Sequence, residues 1–403
     1  MKKIAIIGTA GVPARYGGFE TLADNLVDQL GDRFEMSVYC SNRYYSKSER
    51  TKYYKKARLY HLPLNANGLQ SIPYDIISIL HALIFADTLI ILGVSGCIVL
   101  PFVKLFSRKR IIVNIDGLEW KRGKWSKPIR AFLKFSEYLA VRFSDADITD
   151  NESIKRYTGR YYKTLSHLIE YGGNHARSRR INKADRAKYS FLQQFYAFTV
   201  CRIEPENNIH VLLETFKSQP DKPYVIVGNW ENSPYGQELK AKYSSYSHLH
   251  LLDPIYDQKE LDKLRSNCYV YVHGHSAGGT NPSLVEAMYL GLPIIAFDVS
   301  YNRATTEGKA FYFENSDDLT QVLKEKRIAD YTKNGKTMKR IAKDRYEWSE
   351  IAGKYARLIF GFDYNYQKKS IFSSTRSLEP QLLIKTGKAH LLNQRLFFDD
   401  DEY

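Results

Sequence analysis

The sequence predicts an α/β protein with two domains, each a parallel sheet with helices on both faces. Short runs rich in β-branched residues alternate with helical segments along both halves of the chain, which is the pattern of βαβ units. The 403 residues are enough for two domains of ordinary size. Hydrophobic residues at 44% and charged residues at 26% match a globular composition, so each domain can bury a core.

The alternating runs define the predicted elements. Strands are predicted first at 4–7, 36–40, 88–92, 110–115 and 146–149, and then at 195–200, 224–227, 249–252, 270–272 and 293–296. Helices are predicted at 18–30, 207–217, 258–266, 281–290 and 333–360. Two glycines at 172–173 and a basic segment at 177–188 interrupt the pattern. We therefore expect four parts: an N-terminal domain at 1–185, a C-terminal domain at 186–345, a helix at 346–363 that returns to the N-terminal domain, and a tail at 364–403 with no assigned role.

The most apolar stretch, residues 76–106, has two interpretations. A membrane-spanning helix needs about 20 uninterrupted apolar residues, and Asp87, Gly93 and Pro101 interrupt this stretch. Strands that are covered on both faces also give continuous apolar runs. We favour a helix, a strand and a second helix in a buried core over a membrane span.

The cysteines and the N-terminus indicate a reducing compartment. The four cysteines are far apart and include no C-x-x-C pair, so they resemble neither a zinc site nor a disulfide framework. The apolar run after Met1 is too short for the core of a signal peptide. We expect a cytoplasmic protein.

Positive charge is concentrated in the first half of the chain. The sequence has 59 Lys+Arg and 44 Asp+Glu, a formal net charge of +15. Residues 1–185 hold 30 cations and 17 acids, or +13, whereas residues 186–403 hold 29 and 27, or +2. Residues 43–56 also interleave tyrosines with cations, which suits either a single-stranded nucleic acid or an anionic membrane surface.

The first candidate site is the glycine-rich turn after the first strand, from Gly8 to Glu20. Its glycines let the backbone approach a ligand, and the following helix offers free N–H groups to an anion. The spacing is not G-x-G-x-x-G and no acidic residue marks a ribose site, so a dinucleotide cofactor is not expected. The turn is either a tight strand-to-helix connection or a substrate loop, and Arg15 beside Glu20 favours the loop.

The second candidate site is residues 116–125, directly after the strand at 110–115. Asp116 and Glu119 supply carboxylates that can act as a base or orient a hydroxyl, and Trp120 offers an indole face to a sugar ring. Open α/β sheets bind ligands at the carboxyl ends of their strands. The alternative is a solvated loop with Trp120 tucked into the core. The convergence of several groups favours a binding site.

The third candidate site is residues 273–288, where a strand, a glycine-rich loop and a helix again follow one another. Thr280 or Asn281 can cap the helix. The N–H groups of the loop can bind a diphosphate, and Glu286 can reach a ribose hydroxyl from inside the helix.

Two further features of the second half concern metals and phosphates. His273 and His275 lie at one strand end, but no third ligand is evident, so we expect no metal. Arg202 follows the strand at 195–200 and presents a guanidinium suited to a phosphate, although an isolated arginine is more often a surface ion pair.

Four blocks of the sequence, taken together, resemble the retaining GT-B glycosyltransferases of family 4. The closer resemblance is to the bacterial branch that contains rhamnosyltransferases of cell-wall and capsular polysaccharide assembly. The blocks follow one another along the chain and run from Ala14 to Thr21, Asp116 to Arg122, Arg202 to Asn208 and Gly278 to Ala287.

The resemblance implies a GT-B fold, in which two Rossmann-like domains face a central cleft. It implies that the C-terminal domain holds the nucleotide-sugar donor and the N-terminal domain the acceptor. The implied catalytic residues are Asp116, Glu119 and Arg202. The implied donor-binding residues are Gly17, Gly18, Arg202, Asn207, His273, His275, Gly278, Gly279, Thr280, Asn281 and Glu286. The implied acceptor-binding residues are Arg15, Tyr16, Glu20, Trp120, Lys121 and Arg122.

The chain departs from the family pattern at two positions. In the E-x7-E motif of the family, the first glutamate contacts the donor sugar and the second the ribose. Glu286 matches the second, but Gly278 takes the place of the first. Of the arginine and lysine that hold the diphosphate, Arg202 matches, and Asn207 replaces the lysine. Backbone N–H groups of the glycine-rich loops are expected to compensate.

The activity implied is transfer, with retention, of L-rhamnose from dTDP-L-rhamnose to a lipid-diphosphate-linked saccharide in capsule, O-antigen or other surface polysaccharide biosynthesis. No cofactor or metal is implied besides the donor. The alternatives are another nucleotide hexose, a GT-B-type nucleotide-sugar epimerase and a basic nucleic-acid-binding protein. A lipid-linked acceptor favours the membrane over nucleic acid for the basic half of the chain. We therefore expect peripheral association with the inner face of the cell membrane, through cations such as Lys52, Lys55, Lys56 and Arg58.

Overall fold

The computed structural model describes residues 1–15, 17–122 and 125–361, which separate into two units. Unit 1 is Met1–Glu170 with the chain from Trp348, and unit 2 is Tyr171–Glu347. The boundary expected at 185 is therefore too late in the chain. Gly173 already belongs to unit 2, because its backbone N–H donates to the carbonyl of Tyr346 over 2.8 Å.

Unit 1 contains one mostly parallel sheet. Its strands are β1 (Lys3–Ile7), β2 (Glu35–Ser41), β3 (Tyr53–Tyr54), β4 (Ala57–Leu62), β5 (Thr88–Leu92), β6 (Arg110–Asn114), β7 (Ala146–Thr149) and β8 (His167–Leu168). The helices that alternate with these strands are α1 (Gly18–Leu30), α2 (Ser71–Ala82), α3 (Leu100–Phe106), α4 (Lys127–Phe143) and α5 (Glu152–Tyr162). The order is β3-β4-β2-β1-β5-β6-β7-β8, and only β3 and β4 pair antiparallel.

Unit 2 contains a second sheet, which is parallel throughout. Its strands are β9 (Ala197–Val200), β10 (Tyr224–Val227), β11 (Leu249–Leu252), β12 (Val270–His273), β13 (Ile294–Phe297) and β14 (Phe311–Phe313), in the order β11-β10-β9-β12-β13-β14. Its helices are α6 (Lys183–Lys188), α7 (Ile209–Lys217), α8 (Pro234–Tyr243), α9 (Gln258–Ser266), α10 (Pro282–Leu290), α11 (Ser300–Thr305), α12 (Ser316–Glu325) and α13 (Ile328–Arg345). The predicted α/β class with two parallel sheets is confirmed.

Both sheets reverse their order beside their first strand. The chain leaves β1 toward β2 and later returns to its other side with β5, and it leaves β9 toward β10 and returns with β12. Ligands of open α/β sheets bind at the carboxyl ends of strands around such a reversal. The loops after β1, β6, β9 and β12 are therefore where the fold positions candidate sites.

The strand cores follow from continuous apolar runs. Residues 4–7 of β1 have no exposed surface, and burying each aliphatic side chain contributes about 1.5–3 kcal/mol. The sequence patterns did not predict the strands β3, β4, β8 and β14. Three of these have only two or three residues, and β4 directly follows the basic residues 43–56, with Arg58 exposed between the buried Ala57 and Leu59.

The last described helix, α14 (Trp348–Phe360), belongs to unit 1. It packs against α1, and its Tyr355 hydroxyl accepts a hydrogen bond of 3.0 Å from Asn114 at the end of β6. Lys354 forms an ion pair of 3.0 Å with Glu170. The single helix predicted at 333–360 is therefore two helices, separated at the buried Tyr346, whose hydroxyl donates to the carbonyl of Thr305 in unit 2.

The apolar stretch at 76–106 forms parts of α2 and α3 with β5 between them, as favoured from the sequence. Among the described residues, no helix has the length and hydropathy needed to cross a membrane. The tail at 364–403 lies outside the described residues.

Unit 1 encloses a carboxyl group in its core. Glu137 of α4 has no exposed surface and accepts hydrogen bonds from the hydroxyls of Tyr157, over 3.0 Å, and Tyr162, over 2.6 Å. Burial raises the pKa of Glu137 to about 7, although the two tyrosine hydroxyls lower it. The folded chain therefore favours the neutral carboxyl under mildly acidic conditions.

This pKa predicts that the free energy of unfolding falls as pH rises. Between the ordinary pKa of 4.5 and the folded value of about 7, the unfolded chain has released the proton while the folded chain still holds it. From pH 5 to pH 8 this group should remove about 2 to 3 kcal/mol of stability. Glu137→Gln keeps an acceptor for both tyrosines but cannot ionise. The free energy of unfolding is measured with urea for both proteins at pH 5 and pH 8. Between these pH values the wild type should lose about 2 to 3 kcal/mol more than the variant. An equal change in both proteins would contradict the assignment.

Candidate functional site

The turn after β1 is held together by its own polar groups. Glu20 of α1 is 7% exposed and accepts hydrogen bonds from the Thr9 hydroxyl, over 2.9 Å, and from the Ala10 N–H, over 2.6 Å. Burial raises the pKa of Glu20 despite these bonds, and the negative charge of Asp116 raises it further. Glu20 was predicted to contact the acceptor, but in the structure its carboxylate holds the turn after β1 in place.

Glycines are required at several points of this turn. Gly8 has φ 85°, and a Cβ there would lie 2.0 Å from the carbonyl oxygen of Leu92. Gly17 has φ 91°, and its Cβ would lie 2.7 Å from a carboxylate oxygen of Glu20. Gly18 is the first residue of α1. Tight packing thus accounts for Gly8 and Gly17 without a ligand.

Arg15 is engaged within unit 1. Its guanidinium forms an ion pair with Glu49, donates to the carbonyl of Tyr44 over 3.1 Å and lies 5.0 Å from the ring centre of Tyr45. An acceptor that binds Arg15 has to compete with Glu49. Tyr16, its predicted companion, lies outside the described residues.

Asp116 stands at the carboxyl end of β6 in a strained conformation. Its φ is 62°, in the left-handed region that few residues other than glycine adopt. Its N–H donates to the side-chain oxygen of Asn114 over 3.1 Å. Its charge acts on Glu20, so the loops after β1 and β6 are neighbours. Strain of this kind costs about 1–3 kcal/mol and is often found at functional positions.

The remaining predicted residues of this loop are bound to one another or to α4. Glu119 accepts a hydrogen bond of 2.9 Å from the indole N–H of Trp125 and pairs with Arg122 over 3.0 Å. Glu119 and Arg122, predicted to contact a substrate, are thus each engaged with another residue of the same loop.

Trp120 is held against the helix layer rather than presented as an open sugar platform. The Lys134 ammonium of α4 lies 4.5 Å from its ring centre, and its ring centre is 6.4 Å from that of Tyr157. Arg130 donates to the Trp120 carbonyl over 2.8 Å. Burial and the nearby Lys134 lower the pKa of Lys121. The alternative of a tryptophan tucked toward the core is therefore the better description.

In unit 2 the structure joins the loops after β9 and β12. His275 Nδ1 lies 2.8 Å from the side-chain oxygen of Asn207. The amide of Asn208 donates to the carbonyl of Gly274 over 2.8 Å, and the Ser276 N–H donates to the carbonyl of Glu206 over 2.8 Å. Two motifs about 70 residues apart in sequence thus form one continuous polar surface within the unit.

Arg202 and Asn207 play different parts in this surface. The Asn207 amide donates to the Arg202 carbonyl over 2.8 Å, so both of its polar atoms are used in loop contacts. This is a structural use of the position where the resembled family has lysine. Within the part of the chain that the structure describes, the Arg202 guanidinium has no hydrogen bond or ion pair.

His273 is a buried neutral imidazole at the end of β12. It is 2% exposed, and burial lowers its pKa to about 3. Its Nε2 atom has no hydrogen-bond partner among the described residues. An unsatisfied buried nitrogen costs about 1–3 kcal/mol, which indicates that another group completes its bonding.

The helix α10 begins directly after the glycine-rich loop. Asn281 caps it by accepting a hydrogen bond of 3.0 Å from the Ser283 N–H. Gly278 has φ 99°, and a Cβ there would lie 3.4 Å from the His275 ring. Gly279 completes the loop, and Thr280 is 3% exposed. Pro282 has no N–H, and the N–H groups of Leu284 and Val285 donate to the Asn281 carbonyl over 3.1 and 3.2 Å, so the cap also uses the start of the helix.

Glu286 is held by two residues that the sequence patterns did not indicate. It accepts hydrogen bonds from Arg265, and from His175 over 2.9 Å. Burial has the largest effect on the pKa of Glu286 and raises it, but the charge of Arg265 and the hydrogen bonds from His175 and Arg265 together outweigh burial and lower the pKa to about 2. Arg265 is fully buried and also pairs with the buried Asp262 over 3.1 Å. Nothing in the sequence distinguished Arg265, because α9 is rich in charged residues, as surface helices are.

Two of the four cations expected to meet a membrane have acidic partners in unit 1. Lys55 bridges Asp24, at 2.9 Å, and Asp28, at 3.3 Å, and Lys56 pairs with Asp32. Lys52 and Arg58 have no ion pair among the described residues, and Arg58 lies 4.9 Å from the ring centre of Tyr60.

No group of three or more His, Cys, Asp or Glu side chains suited to a metal ion occurs among residues 1–15, 17–122 and 125–361. The cysteines at 40, 97, 201 and 268 are free thiols.

Sequence comparison assigns a family to each half of the chain. Residues 1–174 match the family described as "Domain of unknown function (DUF1972)", and residues 181–348 match the family described as "Glycosyl transferases group 1". The curated relatives include the GtfA subunit of UDP-N-acetylglucosamine–peptide N-acetylglucosaminyltransferase from Streptococcus agalactiae, which is 27% identical over 186 residues. That alignment covers 42% of this chain and 35% of the relative, so the chain spans about a third of the length of the curated protein it matches.

Solved structures with the same fold include sucrose-phosphate synthase from Thermosynechococcus elongatus, with a TM-score of 0.74 and 16% identity over 90% of this chain and 100% of that chain. Anabaena HepE in complex with UDP gives a TM-score of 0.66 with 15% identity over 90% of this chain and 100% of that chain. These similarities confirm the GT-B fold class. Residues 1–174 are therefore similar to the DUF1972 family, and residues 181–348 to the glycosyl transferases group 1 family.

Proposed function

We propose that the protein is a retaining glycosyltransferase that moves L-rhamnose from dTDP-L-rhamnose to a lipid-diphosphate-linked saccharide in bacterial surface polysaccharide biosynthesis. One observation carries the proposal. On a domain of the glycosyl transferases group 1 family, the loop that contains Arg202 is hydrogen-bonded to the glycine-rich loop that precedes α10. A cation and a set of loop N–H groups are thereby offered to one diphosphate.

The donor pocket follows from the groups left available in unit 2. Arg202 and the loop N–H groups of Gly278 and Gly279 suit the two phosphates, because the first N–H groups of α10 already donate to Asn281. The unsatisfied Nε2 of His273 suits a polar atom of the donor. Glu286 is ionised and fixed by Arg265 and His175, so it can accept a ribose hydroxyl with its remaining lone pairs.

Gly278 supports a deoxy sugar as the donor. It provides no side-chain acceptor at the position where the resembled family has a glutamate, so one or more sugar hydroxyls would lose a partner there. L-Rhamnose lacks the 6-hydroxyl of a hexose, which suits a site with fewer acceptors.

Asp116 is the candidate for contact with the reacting sugar or the acceptor hydroxyl. It stands at the carboxyl end of β6 with a strained backbone, whereas Glu119 is tied to Trp125 and Arg122. During transfer the bond between the anomeric carbon and the diphosphate breaks, and the acceptor oxygen bonds to that carbon from the same face. The hydroxyl proton passes to the leaving phosphate, whose charge Arg202 stabilises.

A second candidate is transfer of a UDP-activated hexose. The curated relatives are named for UDP-N-acetylglucosamine, and the HepE structures were determined with UDP and with UDP-glucose. The same phosphate-binding surface would serve a UDP donor, so the two candidates differ in the base and the sugar.

A donor panel tests these alternatives. The protein is incubated with dTDP-L-rhamnose, UDP-glucose or UDP-N-acetylglucosamine and a short-chain lipid-diphosphate-sugar acceptor, and the products are analysed by mass spectrometry. We expect the acceptor to gain one deoxyhexose. Transfer of a hexose alone would overturn the rhamnose assignment, and conversion of the free nucleotide sugar without an extended acceptor would indicate an epimerase.

Removal of either of the two groups proposed to act in the transfer step, the Asp116 carboxylate and the Arg202 guanidinium, should abolish most turnover. Asp116→Asn and Arg202→Ala should each lower kcat at least about a hundredfold, which is the scale of losing a positioned acid–base group or a charge-stabilising group. Arg340→Ala, at an exposed position of α13, is the matched control and should leave turnover unchanged. Near-normal rates for both site variants would refute the assignment.

Glu286→Gln tests the ribose contact. Loss of a charged acceptor should weaken binding of dTDP or UDP about tenfold or more in calorimetric titration. Glu238→Gln, at an exposed position of α8, is the control. If the melting temperature of the Glu286 variant falls while nucleotide affinity stays the same, Glu286 has only a structural role in the buried ion-pair network with Arg265 and Asp262.

A further inference from the structure

Exposed apolar side chains in unit 1 are concentrated on one layer of helices. Half of the large hydrophobic residues that the described chain exposes lie on α2, α3 and α4 or directly after α2. They are Ile77, Leu80, Ile84, Phe102, Leu105, Phe106, Phe135 and Tyr138. Scattered exposed apolar residues need no explanation, but a concentration of this kind marks an interaction surface.

These helices lie side by side on the same face of the sheet. The chain moves in one direction across the sheet from β4 to β5, β6 and β7, and right-handed crossovers then place α2, α3 and α4 on one face. The helix α3 contacts α4, and the turn at 97–99 contacts both α2 and α4. We name the exposed side of this layer the α2–α4 face.

The spacing shows that each helix exposes one stripe of the α2–α4 face. Ile77, Leu80 and Ile84 recur at intervals of three and four residues, which is one side of a helix. On α3, Phe102, Leu105 and Phe106 are 67%, 59% and 82% exposed. Aromatic and aliphatic groups at this exposure remain in contact with water unless a partner covers them.

Charge identifies the kind of partner. Residues 71–86, 97–109 and 127–143 contain seven Lys or Arg, of which Lys104 pairs with Asp145 over 2.6 Å, and two carboxylates. The two carboxylates, Asp75 and Glu137, are both buried. Arg108 and Lys127 are exposed and have no ion pair among the described residues. Apolar side chains rimmed by cations are typical of a surface that rests in the headgroup region of an anionic bilayer.

A second copy of the chain is a poorer occupant of the α2–α4 face. Self-association through this face would bring two sets of cations together with no exposed carboxylate in these segments to oppose them, and like charges across an interface are unfavourable. An anionic bilayer satisfies both the apolar stripes and the cations.

We propose that the α2–α4 face is the membrane-docking surface of the protein. The inference rests on the proposed function, which supplies the lipid-linked acceptor. The α2–α4 face, rather than the basic segment at 43–58, is then the principal membrane contact. Helix α4 links the docking surface to the candidate acceptor loop. It exposes Phe135 on the face, and its Lys134 and Arg130 contact Trp120 of that loop. One helix thus carries part of the docking surface and holds the candidate acceptor loop.

The test is sedimentation of the full chain with phosphatidylcholine vesicles that either contain or lack phosphatidylglycerol. We expect binding to the anionic vesicles that salt weakens. The triple variant Phe102→Ser, Leu105→Ser, Phe106→Ser should bind at least about tenfold more weakly. The matched control is Phe195→Ser, Tyr256→Ser, Ile328→Ser, which removes three equally exposed apolar groups of unit 2 and should bind like the wild type.

A second pair of variants separates the two cationic regions. Arg108→Gln with Lys127→Gln should weaken binding about fivefold for each cation removed. Neutralising Lys52, Lys55, Lys56 and Arg58 together should have a smaller effect, because none of them lies on the helices of the α2–α4 face and because Lys55 and Lys56 already have acidic partners. A larger loss in this second variant than in the first would overturn the proposal, and so would equal binding of the α3 variant and its control.

Vesicle binding needs neither donor nor acceptor, so its outcome is independent of the sugar transferred. The α3 variant should keep the circular dichroism spectrum and the urea-unfolding transition of the wild type, which shows that unit 1 folds. A dimer in analytical ultracentrifugation that the α3 substitutions dissociate would show that the face joins two copies, and would refute the membrane assignment.

Discussion

Parallel strand pairing is the constraint on which the rest of the structure depends. A parallel sheet brings the carboxyl ends of its strands to one edge, and both sheets reverse their order beside their first strand. The loops after β1 and β6 therefore become neighbours in unit 1, and those after β9 and β12 become neighbours in unit 2. Residues far apart in sequence, such as Asn207 and His275, meet only because of this topology.

Much of the polar chemistry at these edges serves the loops themselves. Glu20 holds the turn after β1, Glu119 holds Trp125, and Asn207 orients His275. Loops at sheet edges have backbone and side-chain groups without a regular partner, and burying such groups is costly unless they are bonded. The groups that remain outside these internal contacts, chiefly Arg202 and the Nε2 atom of His273, are consequently the more informative about a ligand.

The net charge of the chain has to be interpreted from which cations have acidic partners in the structure. Lys55 and Lys56 face carboxylates of their own unit, and so does Arg15, whereas Lys52 and Arg58 have no ion pair among the described residues. On and beside α3 and α4, Lys104 pairs with Asp145, but Arg108 and Lys127 have no ion pair in the described part of the chain and adjoin helices that expose apolar side chains. A count along the sequence weighs paired and unpaired cations equally, whereas their fields at the surface differ because pairing cancels the charge of the first group.

The sequence by itself determined the α/β class, nearly all of the central strands and the positions of the four candidate loops. These are local properties: apolar periodicity, β-branched runs and glycines at strand ends are readable within a few residues. Only the tertiary structure decided the division at 170 and the return of α14 to unit 1, because both depend on contacts between distant segments. It also decided which charges are buried. Arg265 and Glu137 occur in sequence contexts that look like solvated helix faces, yet each lies in a core with specific partners. Packing in three dimensions decides which residues a buried charged side chain contacts, and the order of residues along one helix does not specify that packing.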